Sequence, residues 1–186
     1  MIYKEKFKIA VTGAADENFC SKRAIELAKE VGKEIAKQGC VLVTGATTGT
    51  PHYAAHGAKE AGGISIGFSP ASSALSHVKT YRLPIDAFDM IVYTGFGYAG
   101  RNLLMTRAAD AIIVVSGRMG TLNEFTIAFE DEKPIGVLEG TGGLADEIRT
   151  IIKRPFRGKM NIIYSESPRV LVKNLIELMK KEKGRL

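Results

Sequence analysis

A chain of 186 residues, 45% apolar and 25% charged, has the length and balance of one well-packed domain and is too short for two ordinary ones. No stretch approaches the roughly 20 apolar residues of a membrane span, and Met1-Ile2-Tyr3-Lys4-Glu5-Lys6 leads into a strand rather than an export signal, so a cytoplasmic protein without membrane contact is expected. The net charge of +6 is uneven: residues 151–186 hold ten Lys/Arg against three Glu, so the basic excess sits in a C-terminal segment whose cations suit the negative end of a helix dipole.

Apolar runs and helical patterns alternate from end to end, which predicts βα units around a parallel sheet. Strands are expected at Phe7–Thr12, Cys40–Thr44, Ile64–Phe68, Met90–Thr94, Ala111–Val115, Ile135–Leu138 and Asn161–Tyr164. Between them lie a helix from Ser21 to Lys37 and another opened by Pro51 and carrying Ala54, Ala55, Ala58 and Ala61. Further helices are expected over Gly100–Ala109, from Thr121, through Ile148, and at the C-terminus. Residues 69–88, with several serines and two prolines, show no period and form either a flap or a long connection. No repeat or linker divides the series. The expectation is a single-domain, doubly wound α/β fold over residues 1–186, Rossmann-like, with a mostly parallel sheet of about seven strands and its ligand at the topological switch point.

Ser116-Gly117-Arg118-Met119-Gly120-Thr121-Leu122-Asn123-Glu124 is the most informative run. It carries a buried strand through a glycine-rich turn into a helix, which presents backbone N–H groups at the sheet's carboxyl edge, where phosphates bind. Thr121 and Glu124 also fit a capping box, with Thr as cap and Glu reaching back to it. That pattern leaves unexplained Gly117 and Gly120 around Arg118-Met119, and the pair Arg101-Asn102 that opens the preceding helix.

Other motifs carry less. Gly95-Phe96-Gly97-Tyr98-Ala99-Gly100 is a literal G-x-G-x-x-G, but in a late βα unit and without the acidic residue that would hold a ribose hydroxyl. Gly45-Ala46-Thr47-Thr48-Gly49 could cradle a phosphate but lacks the lysine of a Walker A loop. His52 and His56 stand four apart on one helix face, a zinc-compatible spacing with no third ligand evident, and His52 lies near the helix start where phosphate could bind. Neither a metal site nor a resident cofactor is expected. Cys20 and Cys40 match no metal or disulfide pattern.

With Arg101-Asn102 and Gly117-x-x-Gly120-Thr121-x-x-Glu124 in view, the chain resembles the lysine-decarboxylase-like, LONELY GUY-type (LOG) superfamily of Rossmann-like proteins, in particular its small prokaryotic nucleotide-binding branch. The family signature is Pro-Gly-Gly-x-Gly-Thr-x-x-Glu after an arginine helix, and the likeness spans Phe7 to Gly136, including the loops at Gly13 and Gly45–Gly49. The resemblance implies cleavage of the N-glycosidic bond of a nucleoside 5′-monophosphate to base and ribose 5-phosphate. Arg101 and Glu124 would be catalytic, Glu124 at the ribose and Arg101 supplying positive charge to the nucleotide. Gly120 and Thr121 would hold the 5′-phosphate, with Gly13, Gly45, Gly49, Asn102, Gly117 and Arg118 completing the nucleotide site.

Three positions depart from the pattern: Ser116 replaces Pro, Arg118 replaces the second Gly, and Asn102 stands where the enzymes have Lys. A glycine at 118 would serve positive φ or close approach to phosphate. Binding tolerates these changes better than catalysis does. A sibling of the same architecture carries molybdenum cofactor without consuming it, so a non-catalytic carrier or sensor is the alternative. NADP binding through the G-x-G-x-x-G turn, and DNA binding through the basic tail with a more distant likeness to DNA-processing protein A, rank below both. The expected partner is a nucleotide or nucleotide-like small molecule rather than nucleic acid, bound by a homodimer or higher homo-oligomer.

Overall fold

A computed structural model of the chain describes residues 6–153 and 161–183. Seven strands form one sheet in the order β4-β3-β2-β1-β5-β6-β7. They are β1 (Lys8–Gly13), β2 (Val41–Thr44), β3 (Ile64–Ser69), β4 (Met90–Tyr93), β5 (Ala111–Val115), β6 (Ile135–Leu138) and β7 (Ile162–Ser165). Every neighbouring pair is parallel, so the sheet is wholly rather than mostly so. The chain winds outward from β1 to β4 and then returns to lay β5 against β1. Gly13 and Val115 are register partners where the winding reverses, and the crevice opens beyond their carboxyl ends.

The helices are α1 (Lys22–Lys37), α2 (Thr50–Glu60), α3 (Gly97–Ala108), α4 (Met119–Glu130), α5 (Leu144–Ile151) and α6 (Pro168–Lys183). Side-chain alternation along β5 divides the core. Ala111, Ile113 and Val115 pack with α1, α2 and α6, while Ile112 and Val114 pack with α3, α4 and α5. All five residues of β5 are buried because both faces are covered. Ser21 caps α1 by accepting from the Ala24 N–H at 3.0 Å, an arrangement worth about 1 kcal/mol. A Cβ on Gly32 of α1 would lie 1.9 Å from the Ala54 carbonyl, and one on Gly57 of α2 would lie 1.9 Å from that of Lys29. The two helices therefore meet backbone to backbone.

The basic C-terminal segment is a core element. Leu171, Val172, Leu175, Ile176 and Met179 of α6 are buried against the sheet, and Lys173, Lys180 and Lys181 are exposed on its opposite face. The last three residues of the expected basic tail lie outside the described residues.

Element ends move in informative places. The helix expected from Thr121 begins at Met119, because Ser116 (φ 56°) and Gly117 (φ 109°) turn the chain sharply after β5. Likewise α3 begins at Gly97 rather than Gly100, after a turn in which Gly95 and Gly97 take φ 74° and 64°. The connection over residues 69–88 is ordered by one wide helical turn, Ser76–Thr80. Its pin is His77, fully buried, whose Nδ1 meets Ser69 Oγ at 2.8 Å and whose Nε2 meets the Pro84 carbonyl at 2.9 Å. Among the described residues no helix is long and apolar enough to cross a membrane.

Candidate functional site

The crevice is a cleft of about 540 Å³, within the range of small-molecule sites. The β1–α1 loop supplies Gly13, Ala14, Ala15 and Asp16; the β2–α2 loop supplies Gly45 and Thr47; α3 supplies Tyr98, Arg101 and Asn102; the start of α4 supplies Arg118, Met119, Gly120, Thr121 and Glu124. Of the ten site residues expected from the sequence, Gly13, Gly45, Arg101, Asn102, Arg118, Gly120, Thr121 and Glu124 therefore meet at one place. Gly49 and Gly117 do not line it. Gly49 (φ 72°) is the N-cap of α2, where a Cβ would lie 2.1 Å from the Ala14 carbonyl. Gly117 turns the chain, and its carbonyl accepts from the Leu144 N–H at 3.0 Å. Both shape the loops from behind.

At the floor lies a polar cluster. Arg101 Nη1 donates to Glu124 Oε1 at 3.1 Å, with the two side chains only 6% and 8% exposed. The Thr12 hydroxyl donates to Glu124 Oε2. With its amide nitrogen turned toward them, Asn102 donates to Glu124 Oε1 at 3.0 Å and to the Tyr98 carbonyl at 2.9 Å. Burial pushes the Glu124 carboxyl up, against the downward pull of Arg101 and of the Thr12 hydroxyl. A Cβ on Gly45 would lie 1.9 Å from Arg101 Nη1, so glycine there makes room for the guanidinium. Arg101 Nε is buried and has no hydrogen-bond partner among the described residues.

Above the floor, α4 points its amino end into the cleft. Its N-cap is Arg118, whose side chain makes no capping hydrogen bond. Unclaimed N–H groups and the helix dipole together favour an anion there. Gly120 is open: a Cβ added to it meets nothing within 4 Å. Packing therefore does not require glycine at 120, while a bound group in the cleft would use the space.

The geometry corrects several expectations. Thr121 and Glu124 are not a capping box, because Thr121 is the third residue of α4 and Glu124 reaches across to α3 and β1 rather than back to a cap. Position 118 needs no glycine, since Arg118 is extended (φ −134°) and the positive φ angles fall at Ser116 and Gly117. Proline, locked near −65°, could not adopt the φ of 56° at Ser116. The Arg118 side chain lies over the rim, its guanidinium 4.0 Å from the Phe19 ring centroid and 3.9 Å from Asp16. Asn102, in the place of a lysine, bonds to the cluster instead of charging the site.

The G-x-G-x-x-G turn follows β4, an edge strand three places from β1, and none of its glycines lines the cleft. His52 does not line it either and instead pairs with Asp86 at 3.0 Å. Sequence reasoning missed Thr12, the buried polar residue at the end of β1, and Tyr98, whose ring meets Tyr81 edge-on at 5.6 Å between centroids. The one available signal for Thr12 was a hydroxyl closing an otherwise apolar strand. Tyr81, Arg82 and Leu83 wall an annex that shares Ala15, Asp16, Thr47 and Tyr98 with the main cleft, so the 69–88 connection forms one side of the site.

Comparison with known proteins places this geometry. An uncharacterized protein of Archaeoglobus fulgidus is 32% identical over 132 residues, covering 71% of this chain and 80% of its own length. The molybdenum cofactor binding protein from Rippkaea orientalis superposes with a TM-score of 0.74 at 28% identity, over 96% of this chain and 98% of its own. The Moco carrier protein from Chlamydomonas reinhardtii gives 0.77 at 28%, over 95% and 99%. The SLOG cluster4 family model (LDcluster4) matches residues 6–172, and the chain belongs to that family.

Proposed function

We propose that this protein binds a phosphorylated, nucleotide-like cofactor of the molybdenum-cofactor class and carries it without chemical change. The carrying observation is the state of Glu124. Arg101, Asn102 and Thr12 occupy both of its carboxylate oxygens, and the residue is 6% exposed. Glycosidic hydrolysis needs a carboxylate that reaches the sugar to stabilise developing positive charge or to orient water. A carboxylate with three protein partners serves instead to hold Arg101 beneath the ligand. The similarity to a molybdenum cofactor binding protein and a Moco carrier protein supports the same reading.

The phosphate of the cargo would dock on the N–H groups of Met119, Gly120 and Thr121 with Arg118 at the rim. Gly13 and Gly45 keep the opposite wall free of side chains. Tyr98 and the annex offer an aromatic wall to a planar ring system. A homo-oligomer is part of this reading, since α3 leaves Leu103 and Leu104 exposed. Light scattering above the monomer mass is the expected result.

The test incubates the pure chain with nucleoside 5′-monophosphates and, separately, with molybdenum cofactor, following free base by chromatography and binding by calorimetry. Cofactor binding with no base released is expected. Release of base that Glu124→Gln abolishes would replace the carrier reading with the phosphoribohydrolase one.

A further inference from the structure

Away from the cleft, α2 and the end of the 69–88 connection bring together three groups with the chemistry of a metal site. His52 Nε2 lies 3.0 Å from Asp86 Oδ1, and His56 Nε2 lies 3.2 Å from Asp86 Oδ2. The ligating atoms of all three lie within 4.8 Å of one another. The third ligand that the sequence could not supply is thus Asp86, thirty residues further along the chain. None of the three lines the cargo cleft.

We propose that His52, His56 and Asp86 bind a divalent transition ion of the zinc class. Four-coordinate zinc with nitrogen and oxygen ligands about 2.0–2.1 Å away sets those ligands about 3.3 Å apart. The two His–Asp separations are close to that edge length but end on different oxygens of Asp86, so binding calls for both carboxylate oxygens on the ion or a small turn of the carboxylate. The donor set is selective: imidazoles suit zinc and its neighbours, whereas magnesium and calcium prefer oxygen alone. One face is open, with the Asp86 side chain 60% exposed and that of His56 37% exposed, so water completes the coordination.

The three groups are also held in place without an ion. His52 and His56 stand one turn apart on a helix whose far side packs on α1, and their rings meet at 4.5 Å between centroids. Asp86 is followed by Ala87, fully buried in the core. Two residues on, Asp89 is tied to Lys59 of α2 and accepts from the Ser65 N–H at 2.8 Å. An ion at this point would staple the connection, and with it the annex wall at Tyr81–Leu83, to α2. The nearby acid Glu60 is engaged by Lys29 at 2.6 Å and Lys33 at 3.8 Å and is not part of the set.

The test uses the untagged full chain after chelator treatment, titrated with cobalt(II) as spectroscopic probe, then zinc in competition and magnesium as control. One equivalent of cobalt should bind with visible d–d bands and no thiolate charge-transfer band, zinc should displace it, and magnesium should not. His56→Gln and Asp86→Asn should each weaken zinc binding at least tenfold while the protein stays folded by circular dichroism. Absence of stoichiometric uptake would mean that the cluster is only a pair of hydrogen bonds. Uptake unchanged in His52→Gln/His56→Gln, or accompanied by a thiolate band, would place the ion elsewhere; either result overturns the proposal. Cargo binding is read separately, so failure here leaves the carrier reading standing.

Discussion

Replacing Arg101 with methionine tests how the floor of the cleft is held together. The substitution keeps an apolar stem beside Met105 but removes the cation 3.1 Å from Glu124. Both side chains are less than a tenth exposed, so the carboxylate would be left buried without its counter-charge. Breaking such a pair from one side costs about 3–5 kcal/mol. For a chain of this size each kcal/mol moves Tm by roughly 2–4 °C, so a fall of roughly 6–20 °C is expected at pH 7.

The deficit should depend on pH in a defined direction. Burial already pushes the Glu124 carboxyl up, and Arg101 is the largest opposing influence. Without Arg101 its folded pKa rises further above the unfolded value of about 4.3. A carboxyl with a raised folded pKa binds more protons folded than unfolded between those two values, so stability falls as pH rises through that window. The Arg101→Met deficit is therefore smallest at the acid end, grows with pH, and levels off once Glu124 is ionised in the variant's folded state. Thermal melts followed by circular dichroism from pH 4.5 to 8 measure this. The companion Arg101→Met/Glu124→Gln should recover much of the loss, because the introduced amide carries no charge and still meets Thr12 and Asn102. A drop below about 2 °C at pH 7, or a deficit equal at both ends of the pH range, would refute the claim that the pair organises the site.

The glycines of the α4 loop should separate binding from folding. Gly120→Ala meets open space, so Tm should hold or rise slightly, a helical Gly→Ala change being worth up to about 1 kcal/mol, while cargo affinity by calorimetry falls at least tenfold. Gly117→Ala forces a Cβ to 2.6 Å from Thr121 at a φ of 109°; strain of about 1–3 kcal/mol should lower Tm even without ligand. Arg118→Ala removes an exposed cation stacked on Phe19, worth about 0.5–1 kcal/mol. It should reduce cargo affinity several-fold and flatten its salt dependence, whereas unchanged affinity would leave the anion to the backbone alone.

The order of elements was legible because each strand's apolar run is bounded by glycine or a cap. Which strands flank the switch point was not legible, because no local pattern pairs β5 with β1; the register of Gly13 with Val115 places it. The purpose of Glu124 was not legible. Spacing alone put it three residues after a threonine, which is also the spacing of a cap, and only the turn at Ser116–Gly117 starts the helix early enough to exclude that role. Asp86 was invisible as a partner for His52 and His56 because the intervening connection has no period. Its path depends on His77 fastening Ser69 to Pro84, a contact that no local pattern announces.

Helix α3 states the physical reason for these failures most directly. It buries Arg101, Asn102 and Thr106 beside Met105 and leaves Leu103 and Leu104 exposed, so polar groups dominate an inward face that an amphipathic helix would make apolar. Such a helix gains little from its own pattern beyond the burial of Met105. It is held by Met105 in the core and by what lies across the cleft, Glu124 on one side and the glycine-cleared wall at Gly45 on the other. Local preference and tertiary structure agree over most of this chain and disagree at α3, as they commonly do beside a functional site. That disagreement points to the cleft independently of any family likeness, because Arg101 and Asn102 are buried where they line it.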